Sequence, residues 1–329
     1  MEKLVEMKQK EKKVCLVTGS SGFIGRNLAN KLIELGHEVY GLERYVAGRT
    51  IYGEKKFQTV FADLNDHFAI KQVIRQVKPQ VVFHVGALSA VAYSYNHPID
   101  VNETNYLATI NLAETCMRED CLEHFLWAGT SEEYGNQNEF PLFEDAPLIP
   151  NSPYSASKVA ADIYLNYLIE TYNFPATIVR PFNTYGRIND THFLVESIIK
   201  QMLSGNTVNL GMKEPVRDLM YVSDHVNGYI TCFEQPRDSI GNVFNFCTGV
   251  GWSIPEIVAN IALLLNWNGK VNWDTVPKRP NDIMTLIGSF NKAKHILGWT
   301  PQINLNEGLK SIIQQMKDRY QKCLTVVQP

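Results

Sequence analysis

The chain has 329 residues, 45% of them apolar and 20% charged, with a formal net charge of −3. That length suits two modest domains or one domain with an elaborated lobe, in a composition ordinary for a soluble globular protein. The charge gives no electrostatic footing on nucleic acid or an anionic membrane, and no apolar run approaches the length of a membrane span. The opening M-E-K-L-V-E-M-K-Q-K-E-K-K lacks the apolar core of a signal peptide. A cytoplasmic protein is expected, with no nucleic-acid or membrane partner and with residues 1–11 as a flexible tail. Six cysteines are scattered without a C-x-x-C pair, so buried reduced thiols are expected rather than disulfides or a metal site.

Val14-Cys15-Leu16-Val17 predicts a fully buried strand. Gly19, Gly22 and Gly25 follow at once, and R-N-L-A-N-K-L-I-E-L has helical spacing up to Gly36. Strand, glycine turn and helix together predict a dinucleotide site. Gly19 permits the tight turn, Gly22 lets the backbone approach a pyrophosphate, and Gly25 lets the helix lie close to the strand. The free N–H groups of the first helical turn, at Phe23 and Ile24, then face the phosphates. The spacing is G-x-x-G-x-x-G rather than G-x-G-x-x-G.

H-E-V-Y-G-L-E-R reads as a second strand ending in Glu43, where an acidic residue takes the adenosine ribose hydroxyls. A carboxylate there repels a 2′-phosphate and favours NAD. Arg44 and Arg49 beside it favour NADP, so NADP stays open as the alternative. F-Q-T-V-F-A-D-L is a third strand. Asp63 at its end would reach the adenine amine and Leu64 would pack on the ring, or Asp63 would cap the helix expected over 66–77. P-Q-V-V-F-H-V-G-A-L-S is a fourth buried strand; its small residues, through Ser89, let backbone pass close to a cofactor. His84 inside it reads as a core histidine.

A long helix over 98–118, a fifth strand in E-H-F-L-W-A-G-T, a helix over 154–172 and a sixth strand in A-T-I-V-R-P-F-N-T-Y-G continue the alternation. This predicts an α/β fold, a Rossmann-type doubly wound parallel sheet over 12–185. From about 185 the alternation breaks. Helices over 192–204, 223–234, 253–265, 290–297 and 305–320, with short strands between, predict a smaller α/β substrate-binding lobe over 186–329. Segments near 217–250 are expected to return to the main sheet. The helices near 98–118 and 154–172 carry apolar and aromatic residues on more than one face, which predicts a homodimer through them, or a tetramer.

The chemistry gathers at Thr130-Ser131-Glu132, after the fifth strand, and at Tyr154 and Lys158 on the next helix. Tyrosine and lysine at i and i+4 share one helix face. A nearby ammonium favours the phenolate. A phenolate beside a nicotinamide can take the proton of a substrate hydroxyl while the adjacent carbon is oxidised. The Thr130 hydroxyl would hold the same substrate oxygen.

At this point the chain resembles the extended short-chain dehydrogenase/reductase family acting on nucleotide sugars. The resemblance rests on T-G-S-S-G-F-I-G at 18–25, D-L at 63–64, G-T-S-E-E-Y-G at 129–135, S-P-Y-S-A-S-K at 152–158, R-P-F-N-T-Y-G at 180–186, R-D-L-M-Y-V at 217–222 and R-P-N-D at 279–282. It spans nearly the whole length. It implies an NAD(P)-dependent enzyme whose substrate is a nucleotide-diphosphate sugar. The family's reactions include 4,6-dehydration, 4-epimerisation, decarboxylation and 4-keto reduction; some members of the superfamily only sense the dinucleotide.

The pattern T-S-E-x-Y-G is similar to the GDP-mannose 4,6-dehydratases. In that reaction C4 oxidation acidifies the C5 hydrogen, a base removes it, water leaves from C6, and the hydride returns to C6. The resemblance makes Glu132 the C5 base and then the acid. Dehydratases of dTDP-glucose carry Asp-Glu after the threonine where this chain has Ser131-Glu132, which leaves the acid at C6 to Glu132, a water or Ser131. Glu133 stands where an apolar residue is usual. S-E-E-Y-G is also similar to GDP-4-keto-6-deoxymannose reductases, and T-S-E-x-Y-G with F-N-T to UDP-glucuronate decarboxylases. The R-R-S of NADP-using GDP-mannose dehydratases is absent. The resemblance places Arg217 and Arg279 on the diphosphate or ribose, a task suited to a planar bidentate donor, although Arg217 and Asp218 could also form a local ion pair. It places Asn183 on a substrate phosphate, Asn209 by the base or ribose, and Ser89 among the substrate contacts.

Overall fold

The computed structural model describes residues 11–44, 57–188 and 190–326, with side chains up to residue 319. Arg49, and all but the last residue of the tail expected over 1–11, fall outside them. Strands β1 (Val14–Thr18), β2 (Glu38–Glu43), β3 (Gln58–Phe61), β4 (Val81–His84), β5 (His124–Ala128) and β6 (Ala176–Pro181) alternate with helices. Those helices are α1 (Phe23–Glu34), α2 (His67–Val77), α3 (Val91–Asn96), α4 (Pro98–Asn102), α5 (Ala108–Met117) and α6 (Pro153–Tyr172). There follow β7 (Asn183–Tyr185), α7 (Leu194–Ser204), β8 (Thr207–Asn209), β9 (Val216–Tyr221), α8 (Val222–Glu234), α9 (Pro236–Ser239) and β10 (Val243–Phe246). The chain continues through β11 (Gly251–Ser253), α10 (Ile254–Leu265), β12 (Lys270–Asn272), β13 (Thr285–Leu286), α11 (Asn291–Leu297) and α12 (Leu305–Val326).

The main sheet runs β10-β6-β5-β4-β1-β2-β3, and all its pairs are parallel. The strand order reverses between β1 and β4, the crevice where open α/β sheets take ligands. The period of two explains two apolar layers. Cys15 and Val17 join Phe83, Leu126 and Tyr229 on one side, while Leu16 joins Val82, Phe125 and Trp127 on the other. His84 is a core residue: its Nδ1 lies 2.8 Å from Thr18 Oγ1 and its Nε2 2.9 Å from Thr109 Oγ1. Burial lowers its pKa to about 3, so the ring is neutral.

Four elements differ from the sequence expectations. The run A-T-I-V-R-P-F-N-T-Y-G is not one strand. β6 ends at Pro181, the Phe182 N–H turns to the Phe246 carbonyl at 2.9 Å, and β7 pairs instead with β9 in a separate sheet, β11-β9-β13. Of the segments near 217–250, α8 and β10 pack with the main sheet, whereas β9 stays with the lobe. The helix over 98–118 is interrupted by a π turn at Glu103–Leu107, a feature common at functional sites. Asp63 does not cap α2. Asp66 does, accepting from the Ala69 N–H at 3.0 Å, while Asp63 accepts from Asn65 N–H at 3.0 Å. Among the described residues no helix is long and apolar enough to cross a membrane.

Candidate active site

The glycine turn is crowded enough that no side chain fits it. A Cβ on Gly25 would sit 2.3 Å from the Gly19 carbonyl oxygen, and Gly19 itself has φ +65°. Helix α1 begins at Gly22 with no side-chain cap, so its first N–H groups are available to an anion. Phe23 and Ile24 are half-buried in that turn. Glu43 ends β2, is buried, and accepts a 2.9 Å hydrogen bond from the Ser20 hydroxyl. Arg44 is exposed beside it, and Asp63 and Leu64 are half-buried at the end of β3. Ser89 is exposed in the loop after β4.

That loop is fixed by a residue the sequence reading missed. Asn105, buried in the π turn, accepts from the Leu88 N–H at 2.8 Å and donates to the Leu88 carbonyl at 3.0 Å. It also donates to Ser157 Oγ at 3.1 Å, tying the loop to α6. An asparagine in a helix interior, where its propensity is poor, was the available signal.

At the end of β5, Thr130 caps a 3₁₀ turn, Ser131–Tyr134. Its hydroxyl accepts from the Glu132 N–H at 3.2 Å. The same hydroxyl is hydrogen-bonded to Tyr154, which α6 presents almost fully buried. Burial raises the Tyr154 phenol above its ordinary range; the Thr130 hydrogen bond pulls it down, and Glu132 and Glu133 push it up. Lys158 departs from the expected pairing. Its ammonium donates to the Ala128 carbonyl at 2.6 Å and lies 4.8 Å from the Trp127 ring centre. Burial lowers its pKa.

Ser131 is buried in the 3₁₀ turn, whereas Glu132 is half-buried beside the lobe. Burial raises the Glu132 carboxyl; Arg217 and Arg279 lower it and Asp282 raises it. Arg217 is not paired with Asp218. It donates to the Ile283 carbonyl at 2.7 Å and the Met284 carbonyl at 3.3 Å, while Asp218 accepts from Thr248, Gly249 and Gly288. Arg279 is exposed and lies 3.6 Å from Asp282. The 279–284 strap is tied down by Asn151, which donates to the Asn281 carbonyl at 2.6 Å, and by Asn136, which accepts from the Met284 N–H at 3.0 Å.

Asn183 opens β7, and its buried Oδ1 has no hydrogen-bond partner among the described residues. Asn209 stands apart in the small β8–β12 sheet, where its Oδ1 accepts from Asn272 at 3.0 Å. A groove of about 1030 Å³ beside Gly22 and Phe23 runs along α1 and α8, away from Thr130 and Tyr154. Among the described residues no group of three His, Cys, Asp or Glu side chains could hold a metal ion.

A glycine turn between β1 and α1, with a tyrosine and a lysine one helical turn apart on α6, is the arrangement of a short-chain dehydrogenase/reductase. The family model of the GDP-mannose 4,6 dehydratases matches residues 16–312. A UDP-glucose 4-epimerase of Mycolicibacterium smegmatis is 30% identical over 93% of this chain and 99% of its own. The human dTDP-D-glucose 4,6-dehydratase is 26% identical over 93% of this chain and 90% of its own. The crystal structure of the Thermus thermophilus UDP-glucose 4-epimerase with NAD superposes at a TM-score of 0.84 and 28% identity, covering 92% of this chain and 98% of that one. The chain belongs to the extended short-chain dehydrogenase/reductase family of nucleotide-sugar dehydratases and epimerases, and is an NAD(P)-dependent enzyme.

Proposed function

We propose that the protein is a nucleotide-sugar 4,6-dehydratase that works with NAD, on an NDP-hexose of the GDP-mannose type. Glu132 carries the reading. A simple epimerase needs only to oxidise and reduce C4, which Thr130 and Tyr154 suffice to assist. A dehydratase needs a further group that takes a proton from C5 and gives one to the departing C6 hydroxyl. A half-buried carboxyl with a raised pKa suits both halves of that task, because it holds a proton more readily than an exposed one.

The residues fit the cofactor. The first N–H groups of α1 would hold its pyrophosphate and Glu43 its adenosine ribose, favouring NAD over NADP; Asp63 and Leu64 would meet the adenine. When bound, the dinucleotide supplies reversible two-electron oxidation of the sugar. Tyr154 accepts the C4 hydroxyl proton while Thr130 holds that oxygen, and Lys158 would steady the phenolate only on leaving the Ala128 carbonyl that now holds it. Arg217 and Arg279 balance the diphosphate charge, Asn183 offers its free oxygen to the substrate, and Ser131 stands next to Glu132 as a second source of the C6 proton. Ser89 and Asn209 remain substrate-contact proposals.

The experiment is incubation with GDP-, UDP-, dTDP- and CDP-hexoses, and with a UDP-uronate, in deuterated water, without added reduced cofactor. A 4-keto-6-deoxy product labelled at C5 is expected. A 4-epimer as sole product would overturn the reading in favour of the second, 4-epimerase, which the 30% identity to the M. smegmatis enzyme supports. Decarboxylation of a UDP-uronate, or strict need for added NAD(P)H, would point to the decarboxylase or reductase chemistries.

We also propose a homodimer through α4–α5 and α6. Ile99, Leu107 and Ile163 are 70%, 51% and 60% exposed there, more than a water-facing helix normally shows together. Ile163→Asp is expected to yield a monomer by light scattering on a sizing column. An unchanged dimer would move the interface elsewhere.

A further inference from the structure

Behind Thr130 lies a buried group of charges that the proposed reaction does not use. Glu133 and Asp162 are 0% and 1% exposed, and Arg180 Nε lies 3.0 Å from Glu133 Oε2 and 3.0 Å from Asp162 Oδ2. The guanidinium is committed elsewhere. Its Nε–H donates to Asp162 Oδ2 and its Nη2 to Asp162 Oδ1 at 3.1 Å, while Nη1 serves the Tyr134 hydroxyl at 3.2 Å and the Glu144 carbonyl at 2.9 Å. Glu133 Oε1 accepts the Thr130 N–H at 2.8 Å. Glu133 Oε2 is left with no donor among the described residues. An ionised oxygen in that position is costly, because it loses its water and gains no hydrogen bond.

We propose that Glu133 is protonated in the working enzyme, donating from Oε2 to Asp162, and acts as the positioning residue that sets the Thr130 hydroxyl against Tyr154. One proton on the acid pair removes the unpaired charge and supplies the missing hydrogen bond. The carbonyl oxygen, Oε1, still receives the Thr130 N–H. The arrangement leaves Asp162 alone as the anion against Arg180, a bidentate pair. The groups facing Glu133 are Asp162 and Lys158 from α6 and Arg180 from β6, with Tyr154 of α6 nearby. Burial, then the neighbouring Asp162, drive the Glu133 pKa well up, with Arg180 and Lys158 opposing. The kinetic part rests on the proposed oxidation at C4; the protonation does not.

Two variants and one spectrum test this. Glu133→Gln is the neutral mimic of the protonated acid, so its amide should donate to Asp162 and accept from Thr130 in the same places. Its kcat is expected within about twofold of the parent, with an unshifted pH profile, whereas Glu133→Leu loses the Thr130 acceptor and about 10–100-fold in kcat at similar KM. Independently of activity, the difference infrared spectrum of parent minus Glu133→Gln should show the carbonyl stretch of a protonated carboxylic acid at pH 7. A carboxylate signal in its place would overturn the protonation. A Glu133→Gln enzyme as impaired as Glu133→Leu, or a pH profile displaced in Glu133→Gln, would overturn the positioning role, whichever product the enzyme makes.

Discussion

Glu132→Gln is expected to lower dehydration by about 10²–10⁴ while the sugar is still oxidised at C4. The amide keeps the volume and the backbone hydrogen bond of the turn, in which the Glu132 N–H meets Thr130 Oγ1 at 3.2 Å. It cannot take a proton from C5. Thr130 and Tyr154 are untouched, so substrate should still reduce the cofactor, read as stopped-flow absorbance, and the reaction should stop there. Loss of that absorbance signal as well would assign Glu132 to binding; full product formation would remove it from the chemistry. The pH dependence has a definite sign. Glu132 acts at C5 as the carboxylate, so kcat rises as pH passes through its pKa, which burial holds above the usual carboxylate range. Arg217 and Arg279 hold it down. Arg217→Gln should therefore move the acid limb to higher pH, besides weakening substrate binding. A limb that stays in place would mean that another group titrates.

Much of this site was legible because the features involved are local. A glycine turn after an apolar strand declares itself in Gly19, Gly22 and Gly25, since the backbone conformation is decided within a few residues. Tyr154 and Lys158 share a helix face by spacing alone. Asp162 lies four residues further on that face, and the same arithmetic would have found it. What the spacing could not give is where Arg180 points, because β6 is brought to α6 by the sheet and not by the chain. The same reason hid Glu133. Its neighbour Glu132 looks equivalent in sequence, yet the 3₁₀ turn sends one carboxyl toward the lobe and the other into the core. The split of β6 from β7 was illegible for a different reason. A-T-I-V-R-P-F-N-T-Y is continuously strand-like, and the break is made by a choice between two partners, Phe246 in one sheet and Leu219 in the other. Asn105 was passed over because a helix pattern tolerates one polar residue without comment.

Tyr154→Phe is expected to cost about 10²–10⁴ in the rate of C4 oxidation, at nearly unchanged stability, since only a hydroxyl is removed. The more informative change is Thr130→Val. In the structure burial and then Glu132 oppose the Tyr154 phenolate, while the Thr130 hydrogen bond favours it. The lysine expected to do most of this work is instead held by the Ala128 carbonyl at 2.6 Å. Removing the threonine hydroxyl should therefore raise the tyrosine pKa and move the acid limb of C4 oxidation to higher pH, in addition to lowering its plateau. Glu132→Gln removes a negative charge that Tyr154 senses, so the acid limb of C4 oxidation should move the opposite way, to lower pH. Opposite displacements in the two variants, read from cofactor reduction in single turnovers, would identify the titrating group as Tyr154. Equal or absent displacements would show that the phenol is not the base, and that the alcohol proton leaves by another route.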